Sequence, residues 1–311
     1  MTARFLCLLA AFVIAAAPAA PAPLKALIVD GQNNHSWKTT TPPLKKMLEA
    51  TGLFAVEVAT TPPKGGDMSA FRPDFKAYRV VVLNYNGDGW PEVTRNAFVE
   101  YVRRGGGVVV YHAADNAFAG WKEFNEITAL GGWENRNESA GPMVRWRDGK
   151  MVLENKPGRA GHHGKQQPFQ VVARNTRHPI MRGLPETWMH VADELYDSMR
   201  GPAKNITLLA TAWSDPANAG TGEHEPMLFT VAYGKGRVFH TMLGHGPEAI
   251  SCAGFQATFT RGAEWAATGK VTQKPPPDFP GPNQARARQP SAPVRTIVRD
   301  GYCRLPGPAA S

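Results

Sequence analysis

The amino-acid sequence predicts an α/β domain built on a doubly wound, mostly parallel sheet. Three observations carry this. Short β-branched runs alternate with segments of helical period from Leu24 onward. Glycines and prolines separate them where turns belong. Histidines and carboxylates stand where buried strands should end, the edge at which open α/β sheets bind ligands.

Residues 24–30 read as a buried strand and 31–37 as a polar loop. Thr41-Pro42 supplies a helix start, a capping hydroxyl followed by proline at the first helical position. Leu44, Met47 and Leu48 form that helix's apolar face, and Gly52 stops it. Residues 54–59 alternate as a second strand, and 80–83 form a third, buried on both faces. A loop over 84–89 follows, and Pro91 opens a helix with Phe98, Tyr101 and Val102 turned inward. The Gly105-Gly106-Gly107 stop leads into Val108-Val109-Val110-Tyr111, which ends in His112-Ala113-Ala114-Asp115.

The rhythm breaks over 131–170, a stretch rich in Gly, Asn, Arg and Trp that contains His162-His163. It is too long for a simple connection and reads as a functional insertion or lid. Strand signals resume at 169–173 and 206–212. Residues 227–233 and 237–243 flank Gly234-Lys235-Gly236 as a C-terminal β-hairpin. Residues 255–268 form a closing helix, and no internal repeat is present. Beyond Gln273 the chain has no period and is expected to lack fixed structure. Truncation there is expected to leave the body folded.

Residues 1–22 have the composition of a secretory signal peptide: Arg4, an apolar run over 5–17, then small residues and prolines. The run is too short to span a bilayer comfortably, and cleavage is expected near Ala20. Residues 23–272 are then one α/β domain and 273–311 a Pro/Arg-rich tail. No other segment reads as transmembrane, so an exported protein, periplasmic or secreted, is expected.

The net charge is +9, but Arg4 leaves with the leader and the tail carries six basic residues against Asp278 and Asp300, leaving +4 on the body. A basic balance that lives in the tail argues against a nucleic-acid partner. Cys7 lies in the leader. Cys252 and Cys303 form no C-x-x-C pair, which excludes zinc-ribbon and thioredoxin readings. A disulfide between them and two separate thiols both stay open.

Taken in order, the motifs resemble the ThuA-like family, named for trehalose utilisation. The likeness spans residues 24–268. It lies in the glycine stop with His112-Ala113-Ala114, then His163, His178-Pro179 and Gly183-Leu184-Pro185. It continues through Asp193-Glu194-Leu195-Tyr196, His224-Glu225-Pro226, Tyr233-Gly234-Lys235-Gly236-Arg237, Gly244-His245 and Glu264-Trp265-Ala266. The resemblance implies a flavodoxin-like sheet related to class I glutamine amidotransferases. It also implies carbohydrate catabolism and, more loosely, handling of oxidised (3-keto) sugars. In the amidotransferases a cysteine nucleophile occupies the sharp turn after a central strand. Here that region holds no Cys or Ser, so thiolate chemistry is not expected.

His112 and His245 are the candidate catalytic pair, His112 as base and His245 as acid or carbonyl polariser. Imidazole titrates near neutrality, and both follow buried strands beside small residues. Alternation turns one of Asp193 and Glu194 inward, and Glu194 is the preferred orienting carboxylate. His35, Asp115, His163, His224 and Glu225 are candidates for substrate binding, although Asp115 equally suits a helix cap. His240 and His178-Pro179 read as structural. Trp37, Trp90, Trp121 and Trp133 fall near crevice loops, where aromatic faces suit either sugar stacking or packing. His112, His245, His224 and Glu194 are ligand types for zinc or a related divalent ion. No H-E-x-x-H spacing fixes such a site, so a divalent metal cofactor and none both stay open. The leading expectation is an exported enzyme of elimination, hydrolysis or isomerisation on a sugar or 3-keto-sugar derivative. Two alternatives stand beside it: a non-catalytic carbohydrate-binding or envelope protein, and an amidotransferase-like hydrolase without the cysteine. The particular sugar, the reaction direction and the oligomeric state are left open.

Overall fold

The structure is a computed structural model that describes residues 21–289. The expected cleavage near Ala20, and Cys303 with its pairing to Cys252, lie outside the described residues. The first half runs β1 (Leu24–Asp30), α1 (Trp37–Ala50), β2 (Phe54–Thr60), β3 (Val80–Leu83), α2 (Glu92–Arg103), β4 (Gly107–Tyr111) and α3 (Lys122–Thr128). The insertion holds β5 (Met143–Arg147), β6 (Lys150–Glu154) and β7 (His162–His163). There follow β8 (Gln167–Ala173), β9 (Thr187–Asp193), β10 (Tyr196–Asp197), β11 (Ile206–Ser214), β12 (Glu223–Tyr233), β13 (Gly236–Thr241), α4 (Pro247–Ser251) and α5 (Ala253–Thr268). Among the described residues no helix is long and apolar enough to cross a membrane.

Nine strands form one sheet in the order β2-β1-β3-β4-β13-β12-β11-β8-β9. Neighbours from β2 to β13 are parallel, and those from β13 to β9 are antiparallel. The sheet is therefore mixed rather than mostly parallel. The reason is local: β12 and β13 are joined by the two-residue turn Gly234-Lys235, and so short a link joins only antiparallel strands. Counting the reversals, β9 runs in the same direction as β1. Its carboxyl end thus reaches the same edge as those of β1, β3, β4 and β13.

Helices cover both faces. Phe239 and His240 are consecutive on β13 and so point to opposite sides. Phe239 meets α5, where a Cβ on Gly262 would come within 2.1 Å of its ring. His240 Nδ1 lies 3.0 Å from the carbonyl of Thr128 in α3. The valines of β3 and β4 between these layers are fully buried, as their unbroken apolar runs require.

Helix α1 begins at Trp37, ahead of the expected Thr41. The Ser36 carbonyl accepts the N–H of Thr39 at 2.9 Å and of Thr40 at 3.2 Å, starting a turn upstream of the prolines. Pro42 and Pro43 lie within the helix, at the cost of donors for carbonyls one turn earlier. The seven residues of α3 were too few to show a period. His178 belongs to a turn, its Nδ1 accepting the Ile180 N–H at 3.3 Å. Burial pushes its pKa down to about 4.

The segment after Gln273 differs from expectation. Up to Gln289 it contains no helix or named strand, yet it is laid against the body. The Ala253 N–H donates to the Arg286 carbonyl at 2.7 Å, and the Met189 N–H to the Gly281 carbonyl at 2.8 Å. Arg288 Nε donates to Gln256 Oε1 at 2.9 Å, and Phe279 packs edge-on against the buried Trp188 ring at 5.5 Å. Such a strap needs no hydrophobic period because its contacts are made by single residues. Truncation after Gln273 is therefore expected to lower Tm by about 5–10 °C, the scale of a few kcal/mol in a domain of this size. Thermal melting of the two chains checks this, and equal Tm values would restore the detached tail.

Candidate functional site

The common carboxyl edge gathers polar side chains from the ends of β1, β3, β4, β9 and β13. His35 lies in the loop after β1, Asn84 and Asn86 follow β3, His112 follows β4, Glu194 follows β9, and His245 follows β13. His163 arrives from the insertion, because β7 pairs antiparallel with β10, placing His163 opposite Tyr196. Glu194 is the centre. Its Oε2 lies 2.9 Å from His245 Nδ1, 3.5 Å from His35 Nε2 and 3.6 Å from His112 Nε2. Its Oε1 lies 3.6 Å from His163 Nε2.

Local conformation aims these groups. His112 has a φ of 43°, a left-handed value that a side chain beyond Cβ adopts only when its surroundings hold it there. This is the sharp turn after a central strand, occupied by imidazole. Its Nδ1 donates to the Met242 carbonyl at 2.6 Å, which leaves Nε2 as the atom facing Glu194. Gly244 has a φ of 111°, and a Cβ there would stand 2.5 Å from the Tyr111 ring. Only glycine permits the turn that presents His245.

Asp193 builds the floor. Its Oδ1 accepts the N–H of Glu194 at 2.9 Å and of His245 at 3.0 Å, and its Oδ2 accepts that of Gly244 at 2.7 Å. His190 Nε2 stands 2.8 Å from the same Oδ2. One buried carboxylate thus holds the backbone of two site residues. The expectation that only one of this acidic pair turns inward fails, since both are buried. Strand β9 ends at Asp193, so alternation no longer governs Glu194.

Burial opposes charge on Glu194, His112 and His35. Burial alone would raise the Glu194 carboxyl, but the imidazoles of His112, His245 and His35 hold it far below the usual carboxylate range. Burial also works against a proton on His112, yet Glu194, Asp193 and the Met242 carbonyl outweigh it and raise its pKa. Burial lowers His35, against the pull of Glu194 and with the push of His112 and His245.

Above the cluster opens a cavity of about 1100 Å³, lined among others by Trp37, Trp133, Asn34, Asn86, Asn116 and Lys64. His35, His163, Glu194, Tyr196 and His245 also line it. His112 does not, its side chain being 1% exposed. It sits behind Glu194 with its ring 4.3 Å from that of Tyr196. His112 therefore has no direct face on the cavity, contrary to the expectation of a base that meets substrate, and Glu194 stands between the two. Trp90 and Trp121 are buried in an aromatic cluster with Phe98 and Phe118.

Three sequence candidates fall elsewhere. Asp115 is fully buried, with Oδ2 3.3 Å from His240 Nε2. It pairs across the interior instead of capping a helix or lining the cavity. Glu225 is buried against Arg145 and accepts the Thr221 hydroxyl at 2.7 Å. His224 stands beside Trp213, its Nδ1 3.4 Å from Thr211 Oγ1. The amino end of β12 does reach this edge, but the β5–β6 hairpin covers it. As a result His35 takes the place that His224 held among the expected metal-ligand types. The ligand atoms of His35, His112, Glu194 and His245 all lie within 4.8 Å of one another. Asp193, Tyr196 and the cavity asparagines are site residues that sequence reasoning missed or left unassigned. Asn84-Tyr85-Asn86, directly after a buried strand, was the signal available for Asn86.

Comparison with known proteins adds the following. The family model described as ThuA, trehalose utilisation, matches residues 25–266. A solved structure from Parabacteroides merdae ATCC 43184, described as ThuA-like, is 53% identical, with 86% of this chain and 98% of that chain covered and a TM-score of 0.85. A second ThuA-like structure, from Bacteroides uniformis ATCC 8492, is 21% identical over 83% of this chain and 97% of that one, with a TM-score of 0.55. That second likeness shows the fold alone. No curated protein matches the chain.

Proposed function

The chain belongs to the ThuA family, and from that premise we propose that it serves carbohydrate utilisation by acid–base chemistry on a sugar or 3-keto-sugar derivative. The observation that carries this reading is the convergence of four histidines on Glu194, at the carboxyl edge of the sheet and beneath an open polar cavity. Trp37 and Trp133 suit the C–H faces of a sugar ring, and Asn34, Asn86 and Asn116 suit its hydroxyls.

His163 is the proton acceptor in this scheme. Its side chain is 36% exposed, and its Nδ1 donates to the Gly164 carbonyl at 2.9 Å, leaving Nε2 with its lone pair directed into the site. On a 3-keto sugar it takes the proton from the carbon beside the carbonyl. The electron pair of that C–H bond moves toward the carbonyl oxygen, whose developing charge the histidine cluster stabilises. Collapse of this enolate expels the glycosidic oxygen, which leaves with the C–O electrons and takes up a proton. Glu194 and the buried His112 polarise the cluster and hold His245 toward the cavity. Export, which the leader composition supports, would place this chemistry outside the cytoplasm.

The test is a panel of glycosides and their 3-keto counterparts, followed by NMR in D₂O. The keto forms should exchange the proton beside the carbonyl and release their aglycone, and His163→Ala should lose the exchange. Calorimetric binding of saccharides with neither exchange nor turnover would leave a carbohydrate-binding protein on the same fold.

A further inference from the structure

We infer that His35, His112, His245 and Glu194 form a binding site for a first-row divalent cation of the zinc class. The inference rests on the site proposed above and supplies the agent that polarises the sugar oxygen.

The argument begins with lone pairs. His112 Nδ1 donates to the Met242 carbonyl, so the neutral ring turns an unprotonated Nε2 toward Glu194. His35 Nδ1 stands 3.0 Å from Asn34 Oδ1, an oxygen that also accepts from the Asn86 amide. The His35 ring therefore donates through Nδ1 and likewise turns a bare Nε2 toward the same carboxylate oxygen. With both rings neutral, two imidazole lone pairs thus meet a carboxylate oxygen head on. A single proton bridges only one such pair. His112 Nε2 and His245 Nδ1 are buried atoms without a hydrogen-bond partner, and both are aimed at this point.

A cation satisfies all four donors at once. Imidazole and carboxylate bond zinc at about 2.0–2.2 Å, so tetrahedral donors on one ion stand about 3.3–3.6 Å apart. The three ring nitrogens here already stand 2.9–3.6 Å from Glu194 Oε2, and all four donor atoms lie within 4.8 Å of one another, so side-chain shifts of up to about 1 Å close the set. Three imidazoles with one carboxylate suit zinc and its neighbours over magnesium or calcium, which prefer oxygen. The outer partners also fit. Ligating histidines usually donate their second ring N–H to a carbonyl or carboxylate, which fixes tautomer and orientation, as His35 and His112 do here. Asp193 clamps the backbone of the other two ligands. His245, 30% exposed at the cavity floor, leaves the ion open on the side where a sugar oxygen would enter. His163, outside the four, keeps its free Nε2 for proton transfer.

The test uses the full chain stripped with chelator and titrated with Zn²⁺ by calorimetry, with Co²⁺ as a spectroscopic probe. About one equivalent of metal per chain and a visible Co²⁺ d–d band are expected. His35→Ala and Glu194→Gln should each weaken Zn²⁺ binding by more than about a hundredfold, beyond the roughly 10–100-fold scale of losing an outer partner. His224→Ala should bind as the parent does. Circular dichroism of each variant separates lost binding from lost folding. No stoichiometric binding by the parent chain, or equal weakening in His224→Ala, would overturn the site. Sugar turnover that survives full metal removal would overturn it while leaving the proposed reaction standing. Tight metal binding without sugar turnover would do the reverse.

Discussion

Replacing His245 by Ala is expected to cut turnover of the keto-sugar by about a hundredfold or more, the usual scale for losing a general acid, base or polarising group. The same change should move Tm by only about 2 °C, as partly exposed positions contribute little to stability. The ring reaches Glu194 through Nδ1 at 2.9 Å and is open to the cavity, while the residue's backbone N–H stays bonded to Asp193 whatever the side chain. His112→Ala should behave differently, although the two residues look alike in the sequence. Its ring is enclosed against Tyr196 and donates to the Met242 carbonyl. Removing it opens a void and strands a buried acceptor, a cost of about 1–3 kcal/mol, so activity and stability should fall together. Parallel melting and rate measurements on the substrate found by the panel decide the matter. A fully active His245 variant, or one whose only defect is unfolding, would return His245 to a structural role.

Glu225→Ala is expected to cost about 3–5 kcal/mol, the range for breaking one half of a buried ion pair, and so to lower Tm by roughly 10 °C. Glu225 on β12 and Arg145 on β5 are both buried and in direct contact. The other carboxylate near Arg145, on Glu154, stands 3.9 Å away. Losing Glu225 leaves the guanidinium enclosed and releases the insertion's β5–β6 hairpin from the main sheet. The double change Arg145→Met with Glu225→Leu should recover most of the loss, since matched apolar residues replace buried pairs at little cost. Denaturant melts of the two single variants and the double form the cycle. A loss below about 1 kcal/mol would place this pair with ordinary surface bridges.

Much of the site was legible because it lies at strand ends. A β-branched run closed by a polar residue marks both the strand and the edge where it stops, and that pattern picked out His112 and His245. Glu194 and His35 were found by the same logic applied to an extended segment and a loop. His224-Glu225 carries an equally suggestive signature and belongs to a different assembly. Nothing within a few residues of Glu225 announces that Arg145, 80 positions earlier, will cover it. Asp115 went the same way, since His240 meets it from 125 positions along the chain.

Local period is a property of a few consecutive side chains, so the alternation of strands and helices, the Gly234-Lys235 hairpin and the strand-end histidines were determined by the sequence alone. Contacts across the fold are not local. The reversal of strand direction beyond β13 brings β9, and with it Glu194, to the edge where β1 ends. Only then does His35 meet a carboxylate 159 residues away. The tertiary structure likewise decided that His112 lies behind that carboxylate and His163 before it. Depth from the surface depends on everything packed around a residue, and no stretch of neighbouring sequence encodes it.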